Sequence, residues 1–164
     1  MAKKRKGARK ASADGTKLVA ANRRARFHYH LDDKQEAGLV LTGTEVKAAR
    51  EGGVNLTDSY VRIKNGEAFL VGCHFSPYSS ASQAANHEPV RDRKLLLHRR
   101  ELDKLDAALR EKGQTLLVTR LYFREGRLKA EVCVGRGKKD HDKRAAIKER
   151  AVKKEMDRAM KTYR

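Results

Sequence analysis

Apolar and polar residues alternate from Phe27 onward. Phe27, Tyr29 and Leu31 are separated by His28 and His30, the period of two that predicts a strand. Glu36-Ala37-Gly38-Leu39-Val40-Leu41 reads as a second strand. Thr42 or Thr44 can cap a short helix through about Arg50, with Val46, Ala49 and Arg50 on one face and Gly52-Gly53 at its end. A hairpin follows: Ser59 to Ile63 alternates, Asn65-Gly66 is the favoured two-residue turn, and Glu67 to Cys73 returns. Residues 79–89 are small and polar and predict an exposed loop. Leu102, Leu105, Ala108 and Leu109 share a helical face that stops at Gly113. Thr115 to Phe123 and Leu128 to Val134 read as a last strand pair, turning at Glu125-Gly126 or Gly126-Arg127.

The expected domain, residues 21–134, is therefore mainly β: about six short strands with two inserted helices, closed into a small antiparallel barrel that leaves no open edge. Outside it the pattern fades. Residues 1–20 show no apolar period and predict a disordered basic extension. Residues 135–164 predict a flexible basic tail. Its start, Gly135 to Lys139, reads as a linker. Beyond it Val152, Met156, Ala159, Met160 and Tyr163 form a thin stripe, too weak for a stable isolated helix, so the tail is expected to become helical on its target.

Charge follows the same division. The chain of 164 residues carries +18 overall. Residues 1–26 hold ten Lys/Arg against one acid and residues 135–164 hold twelve against five, whereas residues 27–134 are nearly balanced. Cationic ends of this kind seek polyanions. Nucleic acid fits better than membrane, because no stretch approaches the roughly 20 apolar residues of a span and Met1-Ala2-Lys3-Lys4-Arg5-Lys6 leads into no apolar signal core. Cys73 and Cys133 each lie in an apolar stretch and read as buried, reduced thiols, which suits the cytoplasm.

Catalytic patterns are weak. Gly135-Arg136-Gly137-Lys138-Lys139 lacks the glycine spacing and the Ser/Thr of a phosphate loop. Asp140-His141-Asp142 are adjacent and cannot all point at one ion, while His28 and His30 could share a strand face. The expectation is a binding protein with no catalytic residues, metal or cofactor. The chain has no Trp, four Phe and five Tyr, so base stacking on aromatic rings is not the main mode expected.

Six strings then occur in order: Asn22-Arg23-Arg24-Ala25-Arg26, Glu36-Ala37-Gly38, Leu41-Thr42-Gly43-Thr44-Glu45-Val46-Lys47, Asn55-Leu56-x-Asp58-Ser59-Tyr60, Arg93-Lys94-Leu95-Leu96-Leu97-His98 and Gly137-Lys138-Lys139-x-x-Asp142-Lys143-Arg144. Together they resemble the SsrA-binding protein (small protein B) family from about residue 20 to about 155. The resemblance implies an antiparallel β-barrel of OB-like topology. It implies a trans-translation factor that binds the tRNA-like domain of transfer-messenger RNA (tmRNA), stands in for the anticodon arm and delivers that RNA to the small subunit of stalled ribosomes. Elongation factor Tu and alanyl-tRNA synthetase are implied partners through tmRNA.

By position, the resemblance implies RNA binding by Asn22, Arg23, Arg24, Arg26, Glu36, Leu96, Lys129, Lys138 and Lys139. His141, Asp142, Lys143 and Arg144 match the start of the family's decoding-site tail. The residues themselves leave alternatives open: Glu36 as an internal ion pair, Leu96 as core packing, Lys129 as a solvated strand position. A structural or assembly protein bound to ribosomal RNA is the alternative that composition alone allows. A ribonuclease using His and Lys is a third reading.

Overall fold

A computed structural model describes residues 15–139, 142, 144, 151–152, 155–156 and 158–160. Among them are nine strands and three α-helices: β1 (Lys17–Ala21), α1 (Arg23–His28), β2 (Tyr29–Leu39), α2 (Gly43–Arg50), β3 (Val54–Asn55), β4 (Tyr60–Lys64), β5 (Glu67–Val71), β6 (His74–Phe75), β7 (Arg93–Leu96), α3 (Arg99–Leu109), β8 (Gln114–Arg124) and β9 (Arg127–Gly137). The main sheet has seven strands in the order β1-β8-β4-β5-β7-β2-β9, and a further pairing joins β8 to β9. Six of these strands thus link in a ring, but the β4–β8 seam rests on one residue pair, Val61 with Leu116. The fold is a mainly β sheet with a few helices. β3 and β6 form a separate two-stranded ribbon.

Local signals explain most elements. Asn65 and Gly66 both take positive φ and close the β4–β5 hairpin. Glu125 and Gly126 do the same for β8–β9, with Arg124 opposite Arg127, which resolves the two turns the sequence allowed. At α2 the Thr42 N–H donates to Glu45 Oε2 at 2.7 Å, and at α3 the His98 N–H donates to Glu101 Oε2 at 2.8 Å. Each glutamate reaches back three residues to satisfy an N–H the helix cannot. Leu102 and Leu105 of α3 are buried, while Ala108 and Leu109 pack at the core's edge. Both cysteines are free and buried, and burial pushes the Cys73 thiol up to about 12.

Four expectations change. Phe27 belongs to α1, not to a strand, because Asn22 caps a turn of helix that carries Arg23 to His28. The alternation of Phe27 with Tyr29 and Leu31 hides that boundary, and it separates His28 from His30, which no longer share a strand face. The two strands expected at 27–31 and 36–41 are one strand, β2, bent by a register shift between Asp32 and Gln35 where Asp33 takes a φ of 43°. Order begins before residue 21: β1 pairs with β8 through Lys17–Ala21, and Val19 and Ala20 are buried. Nor does the ladder end at Val134, since Gly135, Arg136 and Gly137 pair with Leu31, His30 and Tyr29. Gly135 suits the close packing there: a Cβ would stand 2.8 Å from Leu117 Cδ1, so that side chain would have to shift, and 3.4 Å from the Tyr29 side chain.

Candidate nucleic-acid interface

Three neighbouring strands, β2, β9 and β8, build the first part of the site. Gly38 of β2 lies opposite Lys129 of β9, and Lys129 lies opposite Tyr122 of β8. The Lys129 ammonium is 3.4 Å from Glu36 Oε1, Arg124 Nη1 is 3.5 Å from Oε2, and the Tyr122 hydroxyl donates to Oε2. The Tyr122 bond is the main reason the Glu36 carboxyl is held below its ordinary range, with Lys129 and Arg124 adding to it against partial burial. Glu36 is therefore an ionised acceptor surrounded by donors.

β7 supplies the apolar part. Its pattern alternates: Arg93 and Leu95 point inward, whereas Lys94 and Leu96 point out. Leu96 is 52% exposed, so it is not a core leucine. It lies across Gly38, where a Cβ would stand 3.4 Å from Leu96 Cβ and 3.6 Å from its Cδ1. Glu36, Leu96 and Lys129 line one open groove of about 500 Å³ with Val46, His98 and Arg127. Because Leu96 contributes little to the core, Leu96→Asp is expected to change unfolding free energy by no more than about 0.5 kcal/mol while weakening RNA binding. Urea unfolding and RNA affinity measured side by side check this.

The second part lies at the other end of β2. Arg23, Arg24 and Arg26 of α1 are exposed. Arg24 has one long contact, 3.8 Å to Asp58. Lys138 is tied to α1: its N–H donates to the His28 carbonyl at 2.8 Å and its Nζ to the Arg26 carbonyl at 3.2 Å. Asp142 Oδ2 accepts from the Lys139 N–H at 3.2 Å and lies 3.4 Å from His30 Nε2. The chain thus leaves the sheet beside α1, with Lys139 and Arg144 exposed. His141 and Lys143 lie outside the described residues. The described positions from 151 to 160 are helical and exposed, Val152, Met156 and Met160 among them.

Asn22 differs from its neighbours. It is buried; its Oδ1 accepts from the Ala25 N–H at 2.9 Å, and its Nδ2 donates to the Leu56 carbonyl at 3.0 Å. With both polar atoms engaged inside the fold, its side chain anchors α1. It lies in the interior, unlike the exposed arginines that follow it.

The SmpB protein family profile matches residues 19–162. The chain belongs to that family. An SsrA-binding protein of Thermobifida fusca is 51% identical over 164 residues, covering 100% of both chains. One of Thermosynechococcus vestitus is 51% identical over 148 residues, covering 90% of this chain and 97% of its own length. A chain in the solved structure "tmRNA-SmpB: a journey to the center of the bacterial ribosome" superposes with a TM-score of 0.63 at 43% identity, covering 74% of this chain and 85% of that one.

Several residues that build the site escape a reading of the sequence. Tyr122 sits opposite Lys129, and only the strand register reveals it. Glu45, inside one of the family strings, is fully buried with Arg93. Its signal was the Thr42-x-x-Glu45 spacing of a capping box. The Asn55 to Tyr60 string is a turn: Asn55 Oδ1 accepts from the Thr57 N–H, Ser59 Oγ donates to the Leu56 carbonyl, and Asp58 takes positive φ. Among the described residues no group of three His, Cys, Asp or Glu could hold a metal, and no helix is long and apolar enough to cross a membrane.

Acid should loosen this arrangement. Burial pushes the Glu45 carboxyl up, but bonds from Arg91, the Thr42 N–H and Arg93 outweigh it, so its pKa is lowered. Glu131 is likewise lowered overall: burial raises it, and Arg120 and Thr119 more than compensate. A folded pKa below the unfolded one gives stability that is full above the ordinary value of 4.5 and is lost as pH falls through the folded values. The thermal midpoint should be flat from neutral to mildly acidic pH and drop below about 4.5. Calorimetry across that range checks it, and a midpoint that rises on acidification would contradict it.

Proposed function

We propose that the protein binds the tRNA-like domain of tmRNA and delivers it to stalled ribosomes for trans-translation, standing in for the anticodon arm. One observation carries the reading: Glu36, Lys129 and an exposed Leu96, brought from three strands, surround one open groove. RNA loops present unstacked bases, ribose hydroxyls and phosphates together. Leu96 offers an aliphatic plate for a base, Glu36 an acceptor for an amino group or 2′-hydroxyl, and Lys129 a cation for phosphate. Each is a different kind of RNA contact, and a generic cationic surface needs neither the leucine nor the glutamate. The ring of strands is assigned an OB-like barrel topology in this reading.

Arg23, Arg24, Arg26, Lys138 and Lys139 add phosphate contacts where the tail begins. Asp142 and Arg144, with His141 and Lys143, are assigned to the decoding site of the small subunit, which the tail, already helical at its described positions, would enter. Elongation factor Tu and alanyl-tRNA synthetase are met through tmRNA, in the cytoplasm, and the protein's role is adaptor rather than enzyme. The membership of the chain in the SmpB family and its SsrA-binding relatives support this reading.

Affinity for tmRNA, measured against bulk ribosomal RNA as salt is raised, tests it. The expected result is a clear preference for tmRNA and a log–log slope of about −0.7 to −0.9 per neutralised phosphate. Equal affinity for both RNAs would favour a structural ribosomal protein instead.

A further inference from the structure

We propose that Tyr122 is a positioning residue for RNA recognition: its hydroxyl holds one oxygen of the Glu36 carboxylate so that the other, beside Lys129, is the one offered to the RNA. The inference rests on the reading that this groove binds tmRNA. The two carboxylate oxygens are not equivalent. Oε2 takes the Tyr122 hydroxyl and faces Arg124 at 3.5 Å, while Oε1 faces Lys129 at 3.4 Å. A phenol has a single proton to donate, and here it points at Glu36. Burial and the Glu36 bond raise the Tyr122 hydroxyl to about 12, so it remains a donor throughout the working range.

Without that bond the glutamate side chain, which is one-third exposed, is free to rotate. Arg124 lies beside Oε2, and Arg127 lines the same groove. A guanidinium fork engaging both carboxylate oxygens would remove the acceptor from the groove. Tyr122 prevents this by occupying the oxygen nearest Arg124. Its ring is itself fixed, with Arg120 Cζ 5.9 Å from the ring centroid and Arg120 held by Glu131.

The test is a double-mutant cycle on the full chain with tmRNA as the probe. Tyr122→Phe keeps the ring and removes only the hydroxyl. It should weaken tmRNA affinity about tenfold and lower the thermal midpoint by no more than a few degrees, because the lost hydrogen bond is an exposed one. In a Glu36→Ala background the same change should have no further effect. The affinity of Tyr122→Phe should also fall at a higher pH than that of the wild type as the solution is acidified, because the largest influence lowering the Glu36 pKa is gone. Lys34 on β2, Arg124 on β8, Lys129 and Glu131 on β9, and Arg127, His98 and Glu101 around the groove are common to both proteins. The difference between the two proteins therefore reports the missing hydroxyl.

If Glu36→Ala weakens binding but Tyr122→Phe does not, the positioning role is wrong and the groove reading stands. An equal loss from Tyr122→Phe with and without Glu36 also overturns it, since the tyrosine would then act independently. If Glu36→Ala binds tmRNA like the wild type, the groove reading fails and the inference fails with it.

Discussion

Replacing Glu45 with alanine is expected to lower the unfolding free energy by about 3–5 kcal/mol, the cost of leaving a buried charge without its partner. Glu45 and Arg93 are both 0% exposed, and every acceptor position of the carboxylate is used. Oε1 accepts from Arg93 Nε and Arg91 Nε, each at 2.8 Å, and Oε2 accepts from Arg91 Nη2 at 2.6 Å and the Thr42 N–H at 2.7 Å. Arg93 goes further. Its Nη1 donates to the carbonyls of Cys73 at 2.8 Å and Arg91 at 2.9 Å, its Nη2 to that of Pro89 at 3.1 Å, and its Cζ lies 4.1 Å from the centre of the Phe75 ring. This one pair joins α2, β6, β7 and the end of the 79–89 loop. α2 carries Val46 and β7 carries Leu96, both of which line the groove, so tmRNA affinity should fall together with stability. Urea unfolding with tmRNA titration checks both. As a control, Asp92→Asn removes the exposed Arg62–Asp92 pair and should cost no more than about 1 kcal/mol. A loss below about 1 kcal/mol in Glu45→Ala would show that the buried pair does not hold the groove.

Truncation after Lys139 is expected to leave tmRNA affinity within a small factor of the full chain while abolishing peptide tagging. The cut point matters. β9 continues to Gly137, and the Lys138 N–H closes onto the His28 carbonyl. Ending the chain at Val134 would strip the partners of Tyr29, His30 and Leu31 from β2 and confuse loss of the tail with damage to the sheet. Ending it after Lys139 keeps that ladder, the groove and α1. Binding to tmRNA and tagging in a reconstituted translation system are the two measurements. Loss of both activities together would contradict the separation of grip from tail. The geometry favours separation: β2 has Tyr29 at the tail root and Gly38 at the groove, nine residues and up to roughly 30 Å apart along an extended strand.

The sequence carried the fold wherever a signal was local. The Asn65-Gly66 turn, the Leu102–Leu105 face and the polar 79–89 stretch need only neighbouring residues to be read. What it hid depended on partners far along the chain. The α1 boundary turns on Asn22, whose side chain is satisfied by Leu56, 34 residues away. β1 has no strong pattern of its own and exists because β8 offers an unpaired edge. The extension of β9 rests on pairing with Tyr29, His30 and Leu31, more than 100 residues earlier in the chain.

The candidate site divides in the same way. Glu36, Leu96 and Lys129 could be named from family strings and position, but nothing in the sequence said that they converge. Leu95, Leu96 and Leu97 are chemically alike, and of the three only Leu96 is exposed. Tyr122 was invisible because its significance lies in cross-strand register. Asn22 reads as part of the basic run around it, whereas its side chain caps α1 from inside the fold, a role set by a partner far along the chain.

We propose that the tRNA-like domain sits in the Glu36–Leu96–Lys129 groove. Replacing Leu96 with the photoreactive benzoylphenylalanine and irradiating living bacteria tests this directly, because position 96 points into that groove without supporting the core. Sequencing of the crosslinked RNA should recover tmRNA, with crosslinks inside its tRNA-like domain. Recovery of ribosomal RNA alone, or of tmRNA crosslinked only outside that domain, would contradict the account.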